Sequence, residues 1–454
     1  MSRIARRDFL KLLGAGTLAG TSFTVGKTAF AGAQPHVVVI GGGVGGATFA
    51  KYLRMADPNV KVTIVEMNRK YLRPYGSSEV ITGHLTMDDL TISYDALRDK
   101  YGIEFLIDRV TGIDFDKQSV RTADGTTLNY DRLVVSPGIS IDFDAVEGLD
   151  QQVSDTKIPH AWIPGAQTEL MARQLKEVPE GGTVIVAPPP NPYRCPPGPY
   201  ERAGLFAQWF KDHGNPSAKV VILDPKNGFT TDFTMLHVWN KLYGFNVPEL
   251  ARGLYTEEQL AQLTEHEGPG MIEWVMGDMG GRVLRVDPDA MVVETEMGQY
   301  EADMINIIPP LKAGQIALDT GLADSSGWCP IERKTFESQI AKNVHVLGDS
   351  CIADEMPKSG YSANSQAKVV ALQVKALLAG QEPGTPIWQN TCYALAGNID
   401  YGMFVADVFR LKDGHIRRLD NPRYLPFDAT EMQYRLAALY QQNWMQAFTE
   451  DCFA

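Results

Sequence analysis

Five cysteines, at 195, 329, 351, 392 and 452, are the residues of this 454-residue chain best suited to redox chemistry. Five in a chain of this length cannot form a disulfide scaffold, and the odd number leaves at least one thiol unpaired within the chain. Cys195 stands apart from the others. It lies in Pro188-Pro189-Pro190-Asn191-Pro192-Tyr193-Arg194-Cys195-Pro196-Pro197-Gly198-Pro199, a rigid loop that makes a poor core element. Arg194 is adjacent, and a neighbouring cation lowers a thiol pKa and favours the thiolate. Glu201 follows six residues later as a candidate base. No Cys-x-x-Cys-His occurs, so a c-type haem would have to come from a separate chain.

Such a thiol needs elements to hold it beside an electron acceptor. His36-Val37-Val38-Val39-Ile40 reads as a short buried strand, and Gly41-x-Gly43-x-x-Gly46 follows it. Ala47–Met55 reads as a helix. Lys61-Val62-Thr63-Ile64-Val65 is a second strand ending at Glu66, twenty residues after Gly46. In this arrangement Gly41 allows the tight turn, Gly43 admits a pyrophosphate to the backbone, and Gly46 lets helix and strand pack closely. The helix N-terminus offers free N–H groups to phosphates, and Glu66 is placed to accept from ribose hydroxyls.

Two later segments point to FAD rather than NAD. Tyr130–Gly138 resembles the strand-and-glycine segment that closes the first half of an FAD domain in flavoproteins with two dinucleotide folds. Val344-His345-Val346-Leu347-Gly348-Asp349 resembles their second FAD segment, which implies that Asp349 binds the ribityl chain. A helix pattern over Ser362–Leu378 would aim its N-terminus at the flavin pyrimidine edge and favour negative charge there. Gly181–Ala187 opens a second strand of the same kind. The turn after it holds Pro188–Pro190 and Pro192 where a nicotinamide dinucleotide would need glycines. Prolines lack the N–H donors that a pyrophosphate uses, so nicotinamide binding is not expected.

The chain resembles the flavoprotein subunit of flavocytochrome c sulfide dehydrogenase, within the wider sulfide:quinone oxidoreductase group. The stretches that carry this are Arg194–Ala203, Gly327-Trp328-Cys329-Pro330, Met356–Gln366 and Asn390-Thr391-Cys392-Tyr393. The resemblance implies a redox disulfide between Cys195 and Cys392 beside the flavin, with Glu201 as base. It also places Gly138, Tyr361, Ser362 and Asn364 among the cofactor contacts. Spacing alone does not choose Cys392 over Cys329 or Cys351; Cys351 is read as a packed thiol near the cofactor, and Cys329 and Cys452 as structural. The family carries a cysteine bonded to the flavin in a Thr-Cys-Tyr context, and Pro74 occupies that place here. No cysteine precedes Cys195, so FAD is expected to be held non-covalently.

The implied activity is oxidation of hydrosulfide to sulfur or polysulfide, with electrons passed to a c-type cytochrome subunit. A quinone reductase would share the sulfide half-reaction but would need an apolar quinone channel and a membrane anchor. A non-catalytic redox partner of another sulfur-oxidising protein is the third reading.

The expected fold is α/β, with two Rossmann-like domains of the FAD-dependent disulfide-reductase type and a small C-terminal domain. The FAD domain spans 34–148 and 301–378, the second nucleotide-binding-like domain 149–300, and the C-terminal interface domain 379–454. A polar stretch at Val247–Glu267 reads as an inserted surface helix. Glu431–Phe448 has helical spacing with Tyr434, Leu436, Leu439, Tyr440 and Trp444 on an apolar face. Only Arg435 is basic there, which favours an internal interface over a membrane surface. Residues 1–33 read as a twin-arginine signal, with Arg6-Arg7 ahead of Phe9-Leu10-Lys11 and small residues near Ala31 and Ala33. The apolar part is too short and mild to span a membrane, and the address is the periplasm. With 42 Lys plus Arg against 55 Asp plus Glu, the net charge is −13, which lacks the basic footprint of nucleic-acid binding.

Overall fold

The computed structural model describes residues 34–420 and 424–454; the segment read as a twin-arginine signal lies outside them. Two parallel sheets carry the fold. In the first half, β1 (His36–Ile40), α1 (Val44–Ala56), β2 (Lys61–Glu66), the short α2 (Ser77–Ile81), β3 (Glu104–Ile107) and β4 (Arg132–Val135) follow in order. In the second half come α3 (Ala166–Glu177), β5 (Thr183–Ala187), α4 (Gly198–Asp212), β6 (Lys219–Leu223), β7 (Ile272–Val275) and β8 (Met304–Ile307). The chain then returns to the first sheet with β9 (Val344–Val346), followed by α5 (Gly360–Leu378).

The first sheet has the order β9-β4-β1-β2-β3 and the second β7-β6-β5-β8. All of these strand pairs are parallel. The near-continuous Val, Ile and Leu of β1, β4, β5 and β6 fit this arrangement, because a parallel sheet is covered on both faces. Val37–Val39 and Val184–Val186 are inaccessible to solvent. The boundary expected at 300/301 falls too early. Met304–Ile307 pairs with β5 and belongs to the second sheet, because its apolar run supplies that sheet's edge before the chain crosses back.

A third sheet of β10 (Ile387–Leu395), β11 (Gly402–Lys412) and β12 (His415–Arg418) is antiparallel, and the long α6 (Glu431–Phe453) ends the chain. Two expectations change here. The stretch Val247–Glu267 forms two single-turn helices, Glu249–Arg252 and Glu257–Leu260, since Pro248 and Gly253 break any longer run. On α6 the buried face comprises Tyr434, Ala437, Ala438, Gln441, Phe448, Cys452 and Phe453. Leu436, Leu439 and Tyr440 point outward. The helix buries Ala437 and Ala438 where it crosses β11, and Leu436, Leu439 and Tyr440 fall on the opposite side. Among the described residues no helix is long and apolar enough to cross a membrane.

Candidate active site

One cavity of about 600 Å³ lies where α1, β10, α4 and α6 converge. Gly41, Gly43, Glu66, Gly138, Asp349 and Tyr361 line it, and so do Cys195, Glu201 and Cys392. The fold thus brings together residues separated by up to 351 positions.

The glycine turn after β1 is built for a dinucleotide. Gly41 has φ +95, and a Cβ on Gly46 would fall 1.9 Å from the Gly41 carbonyl oxygen, so neither tolerates a side chain. Gly43 starts α1 with no side-chain cap, which leaves the first N–H groups open to a phosphate. The Glu66 carboxylate is held by the Gly42 amide at 2.7 Å and the Asn68 amide at 2.9 Å. Asp349 gives the sharpest test of cofactor fit. It lines the cavity, and its buried Oδ1 has no hydrogen-bond partner. Burial pushes its carboxyl up. An unmatched buried acceptor at this position fits a ligand hydroxyl, so the residues present fit FAD. Pro74 also lies on the cavity wall.

Two expected contacts have other partners. Ser362 Oγ lies 3.3 Å from Asn390 Oδ1, and its amide donates to Ser359 Oγ at 3.0 Å. Asn364 Nδ2 donates to Asp451 Oδ2 at 2.8 Å and approaches Cys452 Sγ at 3.3 Å. Neither lines the cavity. On α5 only residues 360, 361 and 363 face it, and the 100° step per residue turns 362 and 364 toward β10 and α6.

Cys195 adopts φ +59, a conformation that costs a non-glycine residue about 1–3 kcal/mol. Its amide donates to the Lys358 carbonyl at 2.8 Å, and its carbonyl accepts from the Gly198 amide at 2.9 Å. These bonds hold the strained turn and keep the thiol on the cavity wall. Cys392 sits on β10 with its sulfur 3.4 Å from Asn390 Oδ1; that oxygen also accepts from Ser359 Oγ at 2.6 Å. Both sulfurs stand as free thiols, rather than as the disulfide that the resemblance implies.

The expectation that Arg194 activates Cys195 is corrected. Burial pushes the thiol far up, the Glu201 and Cys392 groups add to this, and Arg194 opposes it only weakly. The residue is open to the cavity, but protein surrounds that space, so desolvation outweighs one cation. The Arg194 guanidinium is engaged with the Trp162 carbonyl. Burial also raises Cys392. Cys329, Cys351 and Cys452 are buried; the Cys351 thiol donates to the Gly348 carbonyl at 3.2 Å.

Trp162 and Glu79 are among the residues of the wall that carry no sequence signal of their own. Glu79 could have been suspected as the one charged residue of Ser77-Ser78-Glu79-Val80-Ile81, a helix buried along its whole length.

The turn after β5 differs from its counterpart. Asp224, just past β6, occupies the place that Glu66 holds on β2. It is fully buried and accepts from Tyr200 Oη at 2.5 Å, Trp274 Nε1 at 3.1 Å and Lys226 Nζ at 2.7 Å. Among the described residues no group of three or more His, Cys, Asp or Glu could hold a metal ion.

Comparison with known proteins agrees with this geometry. Residues 168–309 match the central part of the sulfide dehydrogenase [flavocytochrome c] flavoprotein chain. Residues 384–453 match the flavocytochrome c sulphide dehydrogenase flavin-binding family, and 35–162 the pyridine nucleotide-disulphide oxidoreductase family. The chain is 25% identical over 392 residues to the sulfide-quinone reductase of Aquifex aeolicus, covering 82% of this chain and 83% of that one. A 31-residue stretch, 7% of this chain and 65% of the relative, is 67% identical to the sulfide dehydrogenase [flavocytochrome c] flavoprotein chain of Chlorobaculum thiosulfatiphilum. The structure of the Aquifex aeolicus sulfide:quinone oxidoreductase superposes with a TM-score of 0.66 at 18% identity, covering 92% of both chains. That of the NAD-dependent persulfide reductase from A. fulgidus superposes with a TM-score of 0.55 at 16% identity, covering 83% of this chain and 71% of that one. The fold is that of the FAD-dependent disulfide reductases, and the chain belongs to the flavocytochrome c sulfide dehydrogenase flavoprotein group.

Proposed function

We propose that this chain is a periplasmic FAD-dependent sulfide dehydrogenase that oxidises hydrosulfide through a Cys195–Cys392 disulfide and delivers electrons to a c-type cytochrome. The observation that supports the reading is that both thiols, one from the proline loop and one from β10, line the cavity that Gly41, Glu66 and Asp349 also line. Gly41, Gly43 and Glu66 would hold the adenosine end of FAD, and Asp349 the ribityl chain. With Pro74 in the place of the family's flavin-linking cysteine, the cofactor is held without a covalent link.

Hydrosulfide attacks one sulfur of the oxidised pair, the S–S bond breaks, and the other sulfur leaves as a thiolate. The products are a persulfide on one cysteine and a thiolate on its partner. FAD, when bound, supplies the two-electron acceptor that the reaction requires. The strained turn at Cys195 fixes one sulfur, and Asn390 orients the other. Glu201 stands in the first turn of α4 on the same wall and handles the proton. The proline turn leaves hydride donors no seat.

The test is steady-state sulfide oxidation by the FAD-loaded protein with cytochrome c or with a decyl-quinone analogue. Turnover with cytochrome c and little with the quinone is expected. The reverse preference would make the chain a quinone reductase, and no turnover with either would leave only the non-catalytic partner.

A further inference from the structure

We propose that Glu79 and Glu201 act as one proton-handling pair, holding a single proton between two carboxyls on the cavity wall and accepting the proton of incoming hydrogen sulfide. The inference rests on the reading of the cavity as the sulfide site, and it adds Glu79, which stands outside every motif of the proline loop.

The two groups come from different elements and line the same cavity. Glu79 lies on α2, every residue of which is buried, and Glu201 lies in the first turn of α4. Both line the cavity with Cys195. Neither makes an ion pair among the described residues, although two cations are close. Arg202 spends its guanidinium on the carbonyls of His160 and Ala161, at 3.0 and 2.9 Å, and on Asn306 Oδ1 at 2.9 Å. Arg73 donates to the Asp89 carbonyl at 3.1 Å and lies over the Tyr75 ring. The remaining neighbours are neutral. The Leu395 amide of β10 donates to Glu201 at 2.6 Å, and Gln441 Nε2 of α6 donates to Glu79 at 3.2 Å. The buried residues of α3, which also packs on α2, are Gln167, Thr168, Met171 and Leu175.

Desolvation and mutual repulsion both oppose ionisation of two carboxylates in such a place. Burial raises both, and the Glu79 charge raises Glu201 further. A second observation points the same way. The Gln441 side-chain oxygen is buried, lies in the cavity wall and has no donor. Such an orphan acceptor fits the O–H of a protonated carboxyl beside it. The state poised for work therefore carries one proton and one negative charge.

The step balances. Hydrogen sulfide gives one proton to the ionised carboxyl, and its sulfur attacks the disulfide. The S–S bond breaks, leaving a cysteine persulfide that keeps the second proton, a cysteine thiolate, and a fully protonated pair. A single buried carboxylate would offer the same basicity only by remaining charged without a partner. The shared proton lowers that cost and leaves one charge to work with.

The test is an infrared titration of the protonated-carboxyl band of the FAD-loaded protein, before any sulfide is added. Wild type should show two steps, the upper one well above the usual carboxylate range. Glu79→Gln should leave one step for Glu201, at lower pH than the upper wild-type step, and Glu201→Gln should leave one for Glu79. Glutamine mimics the protonated form, so both variants keep the fold. Sulfide-dependent flavin bleaching near neutral pH should fall about a hundredfold or more in Glu79→Gln, the scale of a lost general base. An upper step that stays in place in Glu79→Gln overturns the pair. This readout is independent of the disulfide, since a Cys195→Ser protein must still show both steps.

Discussion

The two halves of the molecule share one strand order and have opposite contents. In each sheet the first strand ends in a turn and the second ends in an acid: Gly41–Gly46 with Glu66 in the first half, Pro188–Pro192 with Asp224 in the second. Glu66 takes two backbone amides and faces an open cavity. Asp224 is sealed by Tyr200, Trp274 and Lys226, and Phe229 stacks on Tyr200 at 3.5 Å between ring centres. The same scaffold position thus faces a cavity in one half and is closed into the core in the other. The second half's proline turn places Cys195 on the cavity that the first half's glycine turn also lines.

The largest effect expected from this division is on chemistry. Cys195→Ser and Cys392→Ser should each keep FAD and fold, yet slow sulfide-dependent flavin bleaching by roughly three orders of magnitude, and the double variant should be no slower. Cys329→Ser and Cys452→Ser should stay close to wild type. Stopped-flow bleaching near the wild-type rate in either of the first two would move the reaction off the disulfide.

Next come the two acids. Asp224→Ala leaves Lys226 buried without its partner and should cost about 3–5 kcal/mol of stability, with FAD affinity in the surviving folded protein unchanged. Glu66→Ala should do the opposite: unfolding within about 1 kcal/mol of wild type, but FAD retention weakened about tenfold or more on gel filtration, the scale of about one charge-assisted hydrogen bond. Equal effects of the two changes would erase the contrast. In the same comparison NADH and NADPH should fail to bleach the flavin. FAD itself should leave the protein on acid precipitation; a flavin that stays with the denatured chain would mean a covalent link despite Pro74.

How much of this was legible in the sequence follows from where the information sits. The glycine turn, the strand–helix–strand unit and the proline substitution are local, and Gly41–Gly46 and Pro188–Pro192 state them directly. The partner of Cys195 is a tertiary fact. Cys392 stands 197 residues away on an antiparallel strand, and only resemblance singled it out. Glu79 was silent because a five-residue helix has too little periodicity to reveal its burial. The faces of Ser362 and Asn364 were misjudged because a helix N-terminus says where amides point, not which side chains follow them. Arg194 looked like an activator because adjacency in sequence was taken for electrostatic dominance, whereas the walls around Cys195 decide its pKa.

The smallest effect expected is one that the halves share. Each buries a neutral histidine: His345 on β9, and His160 just before α3, both held down to about 4, chiefly by burial. A depressed histidine binds its proton in the unfolded chain first. Stability is therefore full above pH 6.5 and is lost as pH falls from about 6.5 toward 4. His345→Gln and His160→Gln should each flatten that acid limb of a denaturation series, by up to about 3 kcal/mol. An unchanged limb in both would place the acid sensitivity elsewhere.

The central claim is that two thiols contributed by different parts of the chain form one redox disulfide, and peptide mapping of the resting protein tests it most directly. The air-equilibrated, FAD-loaded protein is alkylated without reduction, digested and analysed by mass spectrometry. The account predicts a linked pair of peptides carrying Cys195 and Cys392, alkylation of neither, and conversion to free thiol and persulfide on one equivalent of sulfide. Recovery of Cys195 and Cys392 as separately alkylated peptides in catalytically active protein would contradict it.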